Sequence, residues 1–334
     1  MTNHGGDVWS KKIKYDFSAN INPLGMPECV KEALKEHMTD YEHYPDVNCT
    51  ELKKAISEYE GVNAENIVCG NGAADLIYKI SGSLKPENAL VLAPTFSEYE
   101  KALSENGCNV NHLLLNENDN FKLNENIIEK IEKNDIMFLC NPNNPTGSVT
   151  ENDLIINIAK KCEEVNSVLV IDECFMPFVK NKESAPLLKN VIILKAFTKI
   201  YAMAGLRLGY ILCGDCETAK KISDFGQCWN VSVPAQIAGV AALKDKEYIE
   251  KTVEFISKER EFLTEELKKS GFKLYPSDTN FILFKSEKKL EDKLSEEGIA
   301  IRNCGNFYGL DNTFYRIAVR THAENEELIK VLRK

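Results

Sequence analysis

The sequence holds no apolar run near the ~18 residues that a membrane-spanning helix needs, which argues against an integral membrane protein. It also lacks a basic block interleaved with aromatics. Its 51 acidic residues against 41 basic ones give a net charge of −10, so nucleic-acid binding is not expected. The opening, Met1-Thr2-Asn3-His4-Gly5-Gly6-Asp7, lacks the charged-then-apolar pattern of a secretory signal. The eleven cysteines are an odd number, scattered through apolar patterns such as Val68-Cys69 and Leu139-Cys140. That usage argues against a disulfide framework and for reduced thiols in a cytoplasmic protein. Cys213-Gly214-Asp215-Cys216 has C-x-x-C spacing but no second pair and no nearby histidine, so no metal site is expected. Internal repeats and low-complexity linkers are missing as well.

What is present is enough apolar material for a large core: 334 residues, 43% of them hydrophobic. From about residue 50 to 230, short apolar runs alternate with amphipathic helical stretches. The pattern predicts strands at 66–69, 89–92, 109–115, 135–139, 167–171, 191–194 and 208–213. Helices are predicted at 73–83, 97–107, 151–165 and 216–225. Such alternation with apolar strands implies an α/β fold with a mostly parallel sheet covered by helices on both faces. Ligands of such sheets bind at the carboxyl ends of the strands. The remainder reads as α+β: helices at 234–244, 246–270 and 290–298, strands at 280–284, 300–303 and 314–319, and a last helix from Glu324. The expected division is a large domain of residues 46–230 and a smaller one made of 1–45 and 231–334.

The stretch from Phe197 to Tyr210, Phe-Thr-Lys-Ile-Tyr-Ala-Met-Ala-Gly-Leu-Arg-Leu-Gly-Tyr, links two predicted strands. A lysine held near an aldehyde forms a Schiff base well when desolvation or a neighbouring positive charge favours its neutral amine. Arg207, eight residues after Lys199, is placed to bind an anion beside it. A lysine for an aldehyde and an arginine for a phosphate are what pyridoxal phosphate (PLP) requires. Taken alone, the two are equally readable as loop charges. Four further motifs fall at strand ends. Gly70-Asn71-Gly72-Ala73-Ala74 opens a helix whose free N–H groups suit a phosphate. Asn141-Pro142-Asn143-Asn144-Pro145-Thr146-Gly147 is a proline-fixed turn able to aim an amide into the crevice. Asp172 closes a very apolar strand and needs a partner, which a protonated pyridine nitrogen would supply. Phe96, after Pro94-Thr95, can stack on a flat ring or serve as plain core.

Together and in this order, these residues resemble the fold-type I PLP enzymes of the aminotransferase class I/II branch, over nearly the whole chain. The resemblance implies pyridoxal 5'-phosphate as cofactor, with Lys199 and Asp172 as catalytic residues. Lys199 would hold PLP and move the proton, and Asp172 would keep the pyridine nitrogen protonated. Asn144 would bond the ring 3-oxygen. Gly72, Ala73, Thr198 and Arg207 would hold the phosphate, with Phe96 stacked over the ring. Tyr44, in His43-Tyr44-Pro45-Asp46, matches a tyrosine that reaches the neighbouring subunit's cofactor phosphate, implying a homodimer with shared sites. Arg316 matches an arginine that clamps the substrate α-carboxylate.

One position departs from the pattern. Many relatives carry a tyrosine three residues after the aspartate, donating to the ring 3-oxygen; here it is Phe175. Within the branch, the ends of the chain resemble threonine-phosphate decarboxylases of cobalamin biosynthesis. The resemblance rests on His4-Gly5-Gly6-Asp7, the run 16–25 through Asn22-Pro23-Leu24-Gly25, the run 301–310, and the pair Arg316 and Arg320. It makes His4, Asn22, Arg302, Arg316 and Arg320 candidates for binding a small phosphorylated substrate. The alternative is histidinol-phosphate aminotransferase, which also takes a phosphorylated amine. A ligand-sensing regulator would need a DNA-binding module or a basic face, and this sequence shows neither.

Overall fold

The computed structural model describes residues 4–10, 12–132, 134–181 and 183–334. In chain order its strands are β1 (Tyr15–Asp16), β2 (Ile67–Gly70), β3 (Asn88–Ala93), β4 (Asn109–Leu114), β5 (Ile136–Cys140), β6 (Val168–Asp172) and β7 (Val191–Ala196). They continue with β8 (Gly209–Cys213), β9 (Lys273–Leu274), β10 (Phe281–Lys285), β11 (Ile299–Ala300), β12 (Arg302–Asn303) and β13 (Phe314–Ala318). The helices are α1 (Glu28–Glu36), α2 (Thr50–Glu60), α3 (Ala73–Leu84), α4 (Glu98–Glu105), α5 (Asn152–Glu164) and α6 (Phe197–Ile200). After them come α7 (Cys216–Ser223), α8 (Val233–Lys244), α9 (Lys246–Lys269), α10 (Glu291–Glu296) and α11 (His322–Arg333).

The apolar runs become the centre of a seven-stranded sheet of order β2-β8-β7-β6-β5-β3-β4. Every residue of β5 and β8, and all but the first of β6, is buried, as strands covered on both faces must be. Only β8 runs against its neighbours, antiparallel to both β2 and β7. The carboxyl ends of β2, β3, β5, β6 and β7 therefore meet at one edge of the sheet, which brings the five motifs together.

A second, antiparallel sheet has the order β12-β13-β10-β9. β1 and β11 form a separate parallel pair, and Ala318 N of β13 donates to Phe17 O at 2.8 Å, which stitches the chain's start to the second sheet. This stitching carries Ser18–Asn20 past the edge of the large sheet. A small apolar cluster that includes Tyr275, Phe307 and Phe314 packs apart from the main core.

The structure corrects the sequence reading in two places. The single strand expected at 300–303 is two short ones, because the chain changes partner at Ile301, from β1 to β13. The last helix starts at His322, not Glu324. Thr321 and Glu324 form a reciprocal capping box, which makes Glu324 the third helical residue. β1 and β9, two residues each, were too short to leave a period.

Gly209 is a tight point between sheet and loop. A Cβ there would lie 3.0 Å from Ala73 N, Gly72 C and Lys195 O, all backbone atoms. Gly209→Ala should cost about 1–3 kcal/mol by overpacking and loosen the 70–73 turn. Calorimetry together with cofactor titration should show both losses; unchanged stability would mean the turn yields freely.

Candidate active site

A cavity of about 430 Å³ opens where the two sheets meet, within the usual range for a small-ligand site. Lys199 lines it from the third residue of α6. Burial, then the nearby Arg316 and Arg207, lower the Lys199 pKa to about 8. Asp172 also lines the cavity, from the end of β6. Its Oδ2 accepts from the Tyr99 hydroxyl at 2.6 Å and its Oδ1 from Cys174 N at 2.9 Å. Burial pushes its pKa up.

Ala73, Thr198 and Arg207 gather at one end of the cavity. Gly72 sits behind them as the N-cap of α3, at φ +85°, and a Cβ on it would lie 2.5 Å from Arg207 Nη2. Glycine is needed here both for that backbone angle and for the approach of the guanidinium. Arg207 itself has φ +60°, a left-handed conformation costing a bulky residue about 1–3 kcal/mol. Such strain is common where a side chain must face a ligand.

Arg302 and Arg316 line the same cavity. They are directly opposed in the β12–β13 register, and both are buried. Arg316 donates through Nη1 to Asn144 Oδ1 and through Nη2 to Ser18 O at 2.9 Å, and its Nε has no partner. Burial lowers its pKa to about 10. Arg302 donates to Asn306 Oδ1 at 2.7 Å and lies over the Phe307 ring. Among the described residues, no carboxylate lies within 4.0 Å of Arg207, Arg302 or Arg316; the arginines so paired are Arg320 and Arg333.

His4 and Phe96 also line the cavity, with His4 Nε2 2.9 Å from the buried Glu98. Three expected residues lie elsewhere. The Asn22 amide donates to Ile200 O at 2.7 Å and to Tyr248 and Thr252, while its backbone N–H meets Lys199 O. Asn22 thus braces the segment bearing Lys199 and does not line the cavity. Arg320 is drawn away by Glu324 at 2.9 Å. Tyr44 lies on the outer surface, 79% exposed, stacked on Trp229 at 4.6 Å. Sequence reasoning missed Tyr99 and Asn20. Tyr99 lies in the first turn of α4 and meets the Phe96 ring edge-on at 5.6 Å.

A family model for aminotransferase class I and II matches residues 12–332. The chain belongs to the aminotransferase class I and II family. It is 36% identical over 327 residues to the threonine-phosphate decarboxylase of Salmonella typhimurium, covering 95% of this chain and 90% of that one. Among solved structures it resembles the histidinol-phosphate aminotransferase from Clostridium acetobutylicum at 36% identity and TM-score 0.89, covering 96% and 98% of the two chains. It also resembles L-threonine-O-3-phosphate decarboxylase from Porphyromonas gingivalis at 25% identity and TM-score 0.85, covering 95% and 97%.

As a member of this family the chain is a PLP-dependent enzyme. The cavity fits that cofactor on its own terms. It offers a desolvated lysine, a buried carboxylate whose raised pKa calls for a cation, and an acid-free arginine beside a helix N-terminus. A Lys199 pKa near 8 leaves about one tenth of the amine neutral at pH 7. Covalent capture of PLP by the apoenzyme, followed by absorbance, should therefore quicken about tenfold per pH unit below pH 8 and level off above it. Lys199→Ala should capture none, and a retained, borohydride-reducible band would place the linkage on another lysine.

Proposed function

We propose that the enzyme decarboxylates L-threonine O-3-phosphate to aminopropanol phosphate, a step of cobalamin biosynthesis. The observation that carries this reading is the opposed pair Arg302 and Arg316. Like charges directly across a strand pair repel, and a buried guanidinium without an anion costs several kcal/mol. The cavity thus asks for two anions at one end, in addition to a cofactor phosphate near Arg207. Threonine phosphate brings a carboxylate and a phosphate on one short skeleton. Histidinol phosphate has no carboxylate, so in an aminotransferase only the glutamate half-reaction would bring a carboxylate to Arg316. The Salmonella relative carries the decarboxylase name.

Bound PLP supplies an electron sink for the bond broken at Cα. In our reading Arg316, with its unpartnered Nε, takes the carboxylate, and Arg302 takes the phosphate, with His4 at the mouth. Two adjacent anchors fix rotation about the Cα–N bond, and that rotation decides whether the carboxylate or the hydrogen stands perpendicular to the ring. With the carboxylate so held, Lys199 would be the residue that supplies the proton Cα takes in place of the lost CO2. Asp172, held by Tyr99 and Cys174 N–H, would face the pyridine nitrogen and hold a proton there. Asn144 would bond the ring 3-oxygen, and Gly72, Ala73 and Thr198 would join Arg207 at the phosphate.

The exposed Tyr44–Trp229 stack, with Val47 and Phe225 also exposed, supports a second copy of the chain as partner, with Tyr44 reaching its neighbour's cofactor phosphate. Sedimentation should then show a dimer, and a fully active monomer would refute shared sites.

The deciding experiment gives the PLP-loaded enzyme L-threonine O-3-phosphate, and separately histidinol phosphate with 2-oxoglutarate, with products read by mass spectrometry. CO2 and aminopropanol phosphate are expected; glutamate from the second mixture with no CO2 from the first would make it an aminotransferase. Arg302→Gln should lower kcat/KM for the phosphorylated substrate about 100-fold, the loss of a charge-assisted contact.

A further inference from the structure

Behind the cavity, on the far side of the β6 and β7 ends, lies a group of charged side chains that the reaction does not use. Lys195 Nζ sits 2.8 and 3.0 Å from the two carboxylate oxygens of Glu60 and 3.7 Å from Glu173. The Tyr210 hydroxyl donates to Glu60 at 2.5 Å, and Ala185 N–H and the Ser184 hydroxyl donate to Glu173. Glu173 is fully buried, and Lys195 and Glu60 nearly so. A separate cavity of about 60 Å³, large enough for ordered water, borders Glu60, Glu173, Lys195 and Tyr210.

The location of this group is informative. Glu173 follows Asp172 directly, and its N–H donates to Leu194 O at 2.8 Å. Lys195 comes four residues before Lys199 and pairs in register with Tyr210 of β8. Ala196, between them, borders both cavities. The ion group therefore ties together the strand end that presents Asp172, the strand end that leads to Lys199, and the last residue of α2. Burying three charges is a poor way to gain stability, because desolvation offsets most of the Coulomb attraction. What such a group does well is fix relative position, since each partner's geometry is set by several bonds at once.

We propose that Glu60, Lys195 and Glu173 are positioning residues that hold Lys199 and Asp172 at the spacing the cofactor requires. The proposal rests on Lys199 as the cofactor-bearing lysine. Borohydride reduction and peptide mass spectrometry of the wild-type holoenzyme test that first, and label on another lysine overturns both readings.

With the label on Lys199, the test compares Lys195→Met, the double variant Lys195→Met/Glu60→Gln, Tyr210→Phe and Lys195→Arg. Lys195→Met leaves two buried carboxylates unpaired and can fail to fold. The double variant removes one of them, and Tyr210→Phe only loosens Glu60. The expected result is cofactor release about tenfold faster in the double variant, with a shifted pH midpoint of its visible absorbance. Tyr210→Phe should move both in the same direction by less, and Lys195→Arg should restore both toward wild type. Release rates and midpoints equal to wild type in the double variant and Tyr210→Phe, with only melting temperatures lowered, would overturn the proposal and leave the group a purely structural clamp.

Discussion

Everything around the cavity answers to an excess of buried positive charge. Lys199, Arg207, Arg302 and Arg316 face one space, and among the described residues none of the three arginines has a carboxylate within 4.0 Å. The chain carries a net charge of −10, so acids were available and are kept out of contact. The molecule accepts part of this cost by lowering the Lys199 and Arg316 pKa values. The rest is met by neutral acceptors: Asn144 Oδ1, Ser18 O, Asn306 Oδ1 and Ala204 O. Neutral acceptors hold the guanidiniums in place without cancelling their charge, so the attraction for an anionic cofactor remains.

That constraint explains why two sheets are needed. The large parallel sheet gathers loops at one edge, enough for Lys199, Asp172, Asn144 and the 70–73 turn. The two adjacent arginines come from the second sheet. The antiparallel β12–β13 pair supplies them within fifteen residues, from Arg302 to Arg316. The N-terminal segment then closes the arrangement, with Ser18 O bonding Arg316 and β1 fastened to β11.

The sequence was most legible where a single residue type meets a strand end. Apolar runs fixed the strands, and a lysine, aspartate, glycine turn or proline turn just beyond each had one place to go once the sheet was parallel. Contacts made across the chain were not legible. Tyr99 reaches Asp172 over 73 positions, and nothing local distinguishes it from a core tyrosine. The opposition of Arg302 and Arg316 depends on a two-residue strand with no period to detect. Asn22 had the right neighbours for a substrate ligand, but its amide is spent on α6 and α9, a matter of tertiary packing.

Phe175 shows how a local departure can follow from the same charge problem. The sequence comparison treats it as a lost hydroxyl near the cofactor ring. In the fold it lines the cavity and meets Phe281 edge-on, 4.9 Å between centroids at 77°. The Arg316 guanidinium lies over that same Phe281 ring at 5.5 Å. A buried guanidinium without an acid gains from an aromatic face, and the face is better defined when a second ring braces it. A hydroxyl at position 175 would add a polar group to this aromatic stack beside an arginine that already lacks a partner for Nε. The phenylalanine therefore keeps this stack apolar and firms the ring beneath the Arg316 guanidinium.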